Sequence, residues 1–136
     1  MARLPASQYD SIADGYDSTD HPAAKLQHEM VSKAIGDCTR LSVLDLGGGT
    51  GIYARRAITQ GAELVDVVDN SAEMLEKGRI IEATTSRTNT NGGIKGRIRW
   101  FEGDVGETLH NLPLLPEGYD VVMCNWVFNH ANTNEV

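Results

Sequence analysis

The segment LSVLDLGGGTGIYARRA, residues 41–57, sets a carboxylate, Asp45, just ahead of a turn carrying Gly47, Gly48, Gly49 and Gly51. A glycine turn between a hydrophobic run and a helix-forming run lets the backbone approach a ligand or a neighbour closely. A dinucleotide fingerprint, GxGxxG, would place pyrophosphate on the following helix N-terminus. Counted from Gly47, glycine falls at 47, 49 and 51, and Ile52 occupies the third fingerprint position; counted from Gly48, Thr50 and Tyr53 stand where glycine is required. The spacing is GxGxG. Asp45 is awkward beside a pyrophosphate and useful beside a cation. Further polar residues follow later hydrophobic runs: Asp69 after LVDVV, Gly103 and Asp104 after IRWFE, Asn125 and Trp126 within YDVVMCNWVF. Carboxylates brought together repel one another and lose hydration unless a ligand or donors satisfy them.

These residues need elements to position them. The run from Pro22 to Ile35 repeats apolar residues at helical spacing (Leu26, Met30, Ala34; Val31, Ile35), with Asp20 or His21 as start and Gly36 as stop, and predicts an amphipathic helix. SVLDL predicts a buried strand, IYARRAITQ a helix closed by Gly61, and LVDVV a second strand. Ser71 is the expected N-cap of a helix over AEMLEKGRIIEA. The Thr/Asn/Gly-rich residues 84–96 read as a surface loop, IRWFE as a third strand, residues 105–111 as a short helix, and YDVVMCNWVF as a fourth strand. Strands alternating with helices predict an α/β fold with a parallel sheet, in which ligands bind outside the carboxyl ends of the strands.

In this order and spacing the motifs resemble the class I S-adenosylmethionine-dependent methyltransferases, particularly the small-molecule branch related to ubiquinone-biosynthesis methyltransferases. VLDLGGGTGIYA is similar to that family's DxGxGxG motif, VDVVDNSAEML to its second, FEGDVGE to its third and YDVVMCNWVFNHA to its fourth; YDSIADGYD resembles the branch's YDxxAxxYD lead segment. The likeness runs from Tyr9 to about Ala131. It implies a Rossmann-like sheet and a single domain over residues 1–136, with a lead segment 1–40 and a cofactor-binding core 41–136. It also implies S-adenosyl-L-methionine as cofactor and a small-molecule methyl acceptor. Gly47, Gly49 and Gly51 would face the cofactor's amino acid end, with Asp45 favouring its ammonium group. Asp69 would accept from the ribose hydroxyls, Asp104 would hold the adenine amino group, and the Val105 backbone would lie beside the ring. Asn70 and Met74 would flank the adenosine, backbone near Asn125 would close over the methionine end, and Tyr16 would cover the cofactor. No catalytic residue is assigned, because in-line displacement at a sulfonium draws much of its acceleration from proximity and orientation.

Blander readings stand beside these. Asp45 also suits a structural cap, Asp104 an ordinary Gly-Asp turn, Trp100 and Trp126 core or rim packing, and His130 either a base near the acceptor or a solvated capping residue. Class I methyltransferases usually carry seven strands in the order 3-2-1-4-5-7-6, and the sequence ends soon after the fourth. The expectation is an exposed fourth strand that pairs with a second copy or a partner chain, or a fragment of a longer protein. An NAD(P)-dependent oxidoreductase and a non-catalytic interaction module are the alternatives.

Composition narrows the classes further. The 136 residues suit one domain, and 40% hydrophobic with 23% charged residues is ordinary globular usage. A net charge of −7 argues against a phosphate-backbone partner. Cys38 and Cys124 form no CxxC or Cys/His cluster, so neither a metal site nor a disulfide framework is expected. The N-terminus lacks an apolar h-region and no window reaches a membrane span, which predicts a cytoplasmic protein.

Overall fold

A computed structural model describes residues 22–88, 96–106 and 108–125. Its elements run α1 (Pro22–Ile35), β1 (Ser42–Leu46), α2 (Ile52–Thr59), β2 (Leu64–Asp69), α3 (Ala72–Thr88), β3 (Ile98–Glu102), a 3-10 turn (Leu109–Asn111) and β4 (Val121–Met123). The strands are parallel and lie in the order β3-β2-β1-β4. A central β1 with β2 and β4 on either side is the Rossmann-like arrangement expected from the alternating pattern.

Side chains alternate across a strand, so each strand contributes to two cores. Val43, Val65, Val67, Ile98 and Met123 face the helices and join Tyr53, Ala54, Ala57 and Ile58 of α2 and Leu75 of α3 in one cluster, with Val31 and Ile35 of α1 packed against it. Ala54 and Ala57 are fully buried, and their small side chains let α2 lie close on the strands. Leu44, Leu46 and Val68 face the other way, where Phe101, Val105, Leu109, Leu112, Leu114 and Tyr119 cover them. Among the described residues that second layer is irregular chain, and the three helices lie on the first.

Two expectations change here. Helix α3 continues through Thr88, taking in the start of the stretch read as a loop. The reason lies in the threonines: Thr84 and Thr85 Oγ1 donate to the carbonyls of Ile80 and Ile81 at 2.9 Å each, which satisfies the hydroxyls inside the helix. Of residues 105–111, the described ones form a turn and the 3-10 segment, and Asp104 Oδ1 accepts the Gly106 amide at 2.8 Å. That side-chain bond offers the backbone an alternative to a helix. The fourth strand is described only as Val121–Met123; the remainder of YDVVMCNWVF beyond Asn125 lies outside the described residues.

Between the second face and its cover is an ion pair, buried at its carboxylate and partly exposed at its guanidinium, that the sequence did not reveal. Asp66, fully buried in the middle of β2, accepts from Arg99 Nε at 2.6 Å and Nη2 at 2.5 Å, and from the Tyr119 hydroxyl. Tyr119 in turn accepts the Leu115 amide at 3.0 Å, so the irregular layer is pinned to β2 and β3 by one carboxylate. Arg99 lies 5.5 Å from the Phe101 ring centroid, a distance at which the cation is attracted to the ring.

Candidate functional site

At the carboxyl end of the sheet one cross-strand row forms a floor. Asp45 is paired with Val67 and with Met123, and Val67 with Trp100, so all four side chains stand on the helical face. The glycine turn descends onto this row. A Cβ built on Gly48 would lie 2.7 Å from Asp45 Oδ2 and 2.8 Å from Val67 Cγ1. One built on Gly51 would lie 2.4 Å from Trp100 Cη2. These two glycines are therefore required by what lies beneath the turn. Above it the surroundings differ: at Gly49 the nearest atom to such a Cβ is Asp69 Oδ2, 4.0 Å away.

The turn is tied to the end of β2 and to itself. The Gly47 amide donates to the Val68 carbonyl at 2.7 Å, the Gly51 amide to the Gly48 carbonyl at 2.8 Å, and the Gly49 amide to Asp69 Oδ2 at 2.8 Å. Asp69 Oδ1 accepts the Ser71 amide at 2.9 Å. Ser71 is the N-cap of α3 as expected, its Oγ accepting the Met74 amide at 3.2 Å. Asp69 thus joins the end of β2 to the glycine turn on one side and to the start of α3 on the other.

Asp45 is the electrostatic centre of the site. It is 1% exposed, and neither carboxylate oxygen has a hydrogen-bond partner among the described residues. Burial first, and the charge of Asp69 second, push its carboxyl up to about 7. Burial and the Asp45 charge also raise the Cys124 thiol; the Tyr53 hydroxyl is raised by burial, opposed by a hydrogen bond from Gln27 and assisted by Asp45. A buried carboxylate without donors is costly, commonly by several kcal/mol, and the group shifts its pKa instead.

The other expected residues fall around this centre unequally. Asn70 is exposed immediately after β2, Met74 is buried in the first turn of α3, and Asp104 and Val105 follow β3. Asp104 is held in a closed turn in which its amide donates to Thr108 Oγ1 at 2.7 Å, and Val105 packs on the second-face cluster. Asn125 follows β4 with its side-chain nitrogen buried and without a partner among the described residues. Gly51 touches Trp100, which gives it a structural duty whatever the ligand. Tyr16, Trp126 and His130 lie outside the described residues.

The comparisons with known proteins agree with this fold. Residues 43–136 match the protein family described as "Methyltransferase domain", and the chain belongs to that family. Its fold is that of an S-adenosylmethionine-dependent methyltransferase from Mesorhizobium loti (TM-score 0.51, 24% identity, covering 68% of this chain and 37% of that one). It is also that of Arabidopsis thaliana protein arginine methyltransferase 10 (TM-score 0.65, 20% identity, covering 90% and 32%). A third is the Trypanosoma brucei PRMT1 enzyme-prozyme heterotetrameric complex with AdoHcy (TM-score 0.60, 24% identity, covering 83% and 31%). The chain spans about a third of the length of these three proteins. No curated protein matches the sequence. Among the described residues no helix is long and apolar enough to cross a membrane.

Proposed function

We propose that this chain binds S-adenosyl-L-methionine at the carboxyl ends of β1, β2 and β3 and forms the cofactor half of a methyltransferase acting on a small molecule. The observation that carries the reading is Asp45: fully buried, without a hydrogen-bond donor among the described residues, and next to a turn whose glycines leave room above Gly49. An α-ammonium group supplies the missing positive charge. Asp69, which orders the Gly49 and Ser71 amides at the end of β2, is the carboxylate placed for the ribose hydroxyls.

When bound, the cofactor supplies an electrophilic methyl group; the chain supplies position. Asp45 holds the amino acid end, Asp69 the ribose, and the Asp104–Val105 segment the adenine. The approach line for an acceptor is thereby set, which is worth much of a displacement barrier. Membership of the methyltransferase family supports the activity. The small-molecule acceptor rests on the likeness of YDSIADGYD, and the net charge of −7 weighs against nucleic acid.

Isothermal titration with S-adenosylhomocysteine tests the cofactor reading. We expect saturable binding to the folded chain and none of NAD. Folded protein that bound NAD and ignored S-adenosylhomocysteine would overturn the proposal. An interaction with a second chain has one observation in its favour: β4 pairs with β1, no strand among the described residues lies on its other side, and Val122 there is 53% exposed. A second copy or a partner strand on this edge would appear in size-exclusion chromatography as a stable complex.

A further inference from the structure

Glycine occurs in the middle of α3, at Gly78, where it weakens a helix relative to alanine. Space explains it. A Cβ on Gly78 would lie 2.4 Å from Trp100 Cη2, 2.5 Å from Cζ3 and 2.8 Å from the Thr50 carbonyl oxygen. Gly51 meets the same Cη2 at the same distance from the turn side. One indole is therefore seated between two glycines, one in the turn and one on α3.

We propose that Trp100 is a positioning residue for the glycine turn: wedged between Gly51 and Gly78, its indole sets the height of that turn and couples it to α3. The functional half of this inference rests on the cofactor reading above. The ring is fixed at both ends. Its Nε1 donates to Glu82 Oε2 at 3.0 Å, from a carboxylate that is itself buried one helical turn beyond Gly78. Its backbone belongs to β3, in register with Val67 and so in the row that underlies Asp45. The indole meets the turn from below, while the side of Gly49 nearest Asp69 is where a ligand would lie. Trp100 acts through the turn and touches no ligand. A change in the seat on α3 is absorbed by the ring or passed to Gly51, since the same Cη2 faces both glycines.

The test uses the full chain and three variants, Gly78→Ala, Trp100→Phe and the double substitution. In an unconstrained helix Gly78→Ala is favourable. Here it should push the indole into the turn, speed hydrogen exchange at the Gly47, Gly49 and Gly51 amides, and weaken S-adenosylhomocysteine binding by on the order of tenfold. Trp100→Phe removes the part of the ring that meets both glycines, so the double variant should regain protection and affinity. Gly78→Ala that altered melting temperature but neither turn exchange nor affinity would overturn the proposal, as would a double variant that failed to recover. Should the unmodified chain not bind S-adenosylhomocysteine, the cofactor reading falls, and the exchange rates alone decide for or against the wedge.

Discussion

The backbone amide of Gly49 donates a 2.8 Å hydrogen bond to Asp69 Oδ2, so the carboxylate that ends one strand orders the turn that follows its neighbour. Asp69 thereby has a structural duty beside the binding one proposed for it, and substitution tests both. Asp69→Asn keeps a carbonyl oxygen for the Gly49 amide and loses the charge and one acceptor. Its NH2 then faces the Ser71 amide that Asp69 Oδ1 accepts, so we expect a loss of about 1 kcal/mol in stability and of about 10- to 100-fold in S-adenosylhomocysteine affinity, the latter the worth of about 1.5–3 kcal/mol for bonds to a charged group. Asp69→Ala should lose stability as well. Calorimetry and thermal unfolding on the same samples separate these outcomes.

Asp45 should be a residue whose removal stabilises the ligand-free chain. Its folded pKa of about 7 lies above the value of 3.8 for a free carboxyl. The folded state therefore binds the proton more tightly than the unfolded state, and stability falls as pH rises from about 4 to about 7. Above that window the loss approaches 4 kcal/mol at about 1.4 kcal/mol per unit. Asp45→Asn removes this loss and leaves an unsatisfied amide worth about 1–3 kcal/mol. The expected result at pH 7.5 is a net gain of about 1–3 kcal/mol together with loss of cofactor binding. A destabilised variant that still bound would contradict the assignment.

Binding should itself depend on pH, with a sign set by Asp45. Below about 7 the carboxyl is protonated and offers an ammonium group no charge. Affinity for S-adenosylhomocysteine should then fall by up to about tenfold per pH unit below the pKa. The ligand's own ammonium group, held protonated by its adjacent carboxylate, stays charged through neutrality, so affinity should rise through pH 7 and level off above it. Titration in buffers of different ionisation enthalpy would show a proton released on binding at pH 6. A pH-independent affinity between 5.5 and 7.5 would remove Asp45 from the ammonium site.

The Asp66–Arg99 pair gives a stability test away from the cofactor. Arg99→Leu strands a buried carboxylate and should cost about 3 kcal/mol in urea unfolding, at the low end of the usual range because the Arg99 side chain keeps 38% exposure. Tyr119→Phe should cost about 1 kcal/mol. The double variant Asp66→Val with Arg99→Leu should recover most of the loss, since replacing both charges by apolar groups is often neutral.

What could be read in the sequence divides along physical lines. The hydrophobic runs of β1, β2 and β3 are bounded by turn residues and packed on both faces, so their limits were legible to within a residue. Helix α1 was legible from its spacing and from Gly36, which has a positive φ of 66°. The C-terminal turn and a half of α3 was not, because threonine composition suggests a loop until the back-bonded hydroxyls are seen. The strand-end placement of Asp45 and Asp69 was legible from the sequence, and the cofactor contacts proposed for them rest on it. What stands beneath the turn was not: Trp100 lies 49 residues beyond Gly51 in the chain, and only the parallel register of β1, β2 and β3 brings them together. Gly78 carried a signal in its unfavourable mid-helix position, and Asp66 carried one as a carboxylate inside LVDVV. Neither names its partner, since Arg99 and Tyr119 are distant in sequence.

Asp66 has a consequence for how the sheet chooses its pairing. Its neighbours Val65 and Val67 are interchangeable with many other apolar residues, and a β2 displaced by one position would still present valines to β1. Such a slip turns every side chain of the strand to the opposite face. The carboxylate would then enter the helical core, out of reach of Arg99 and Tyr119, while Val65 and Val67 would turn toward the irregular layer. An alternative alignment that is nearly neutral for the apolar residues becomes prohibitive through one misplaced charge. Asp66 selects the register in which Asp45, Val67 and Trp100 share a row.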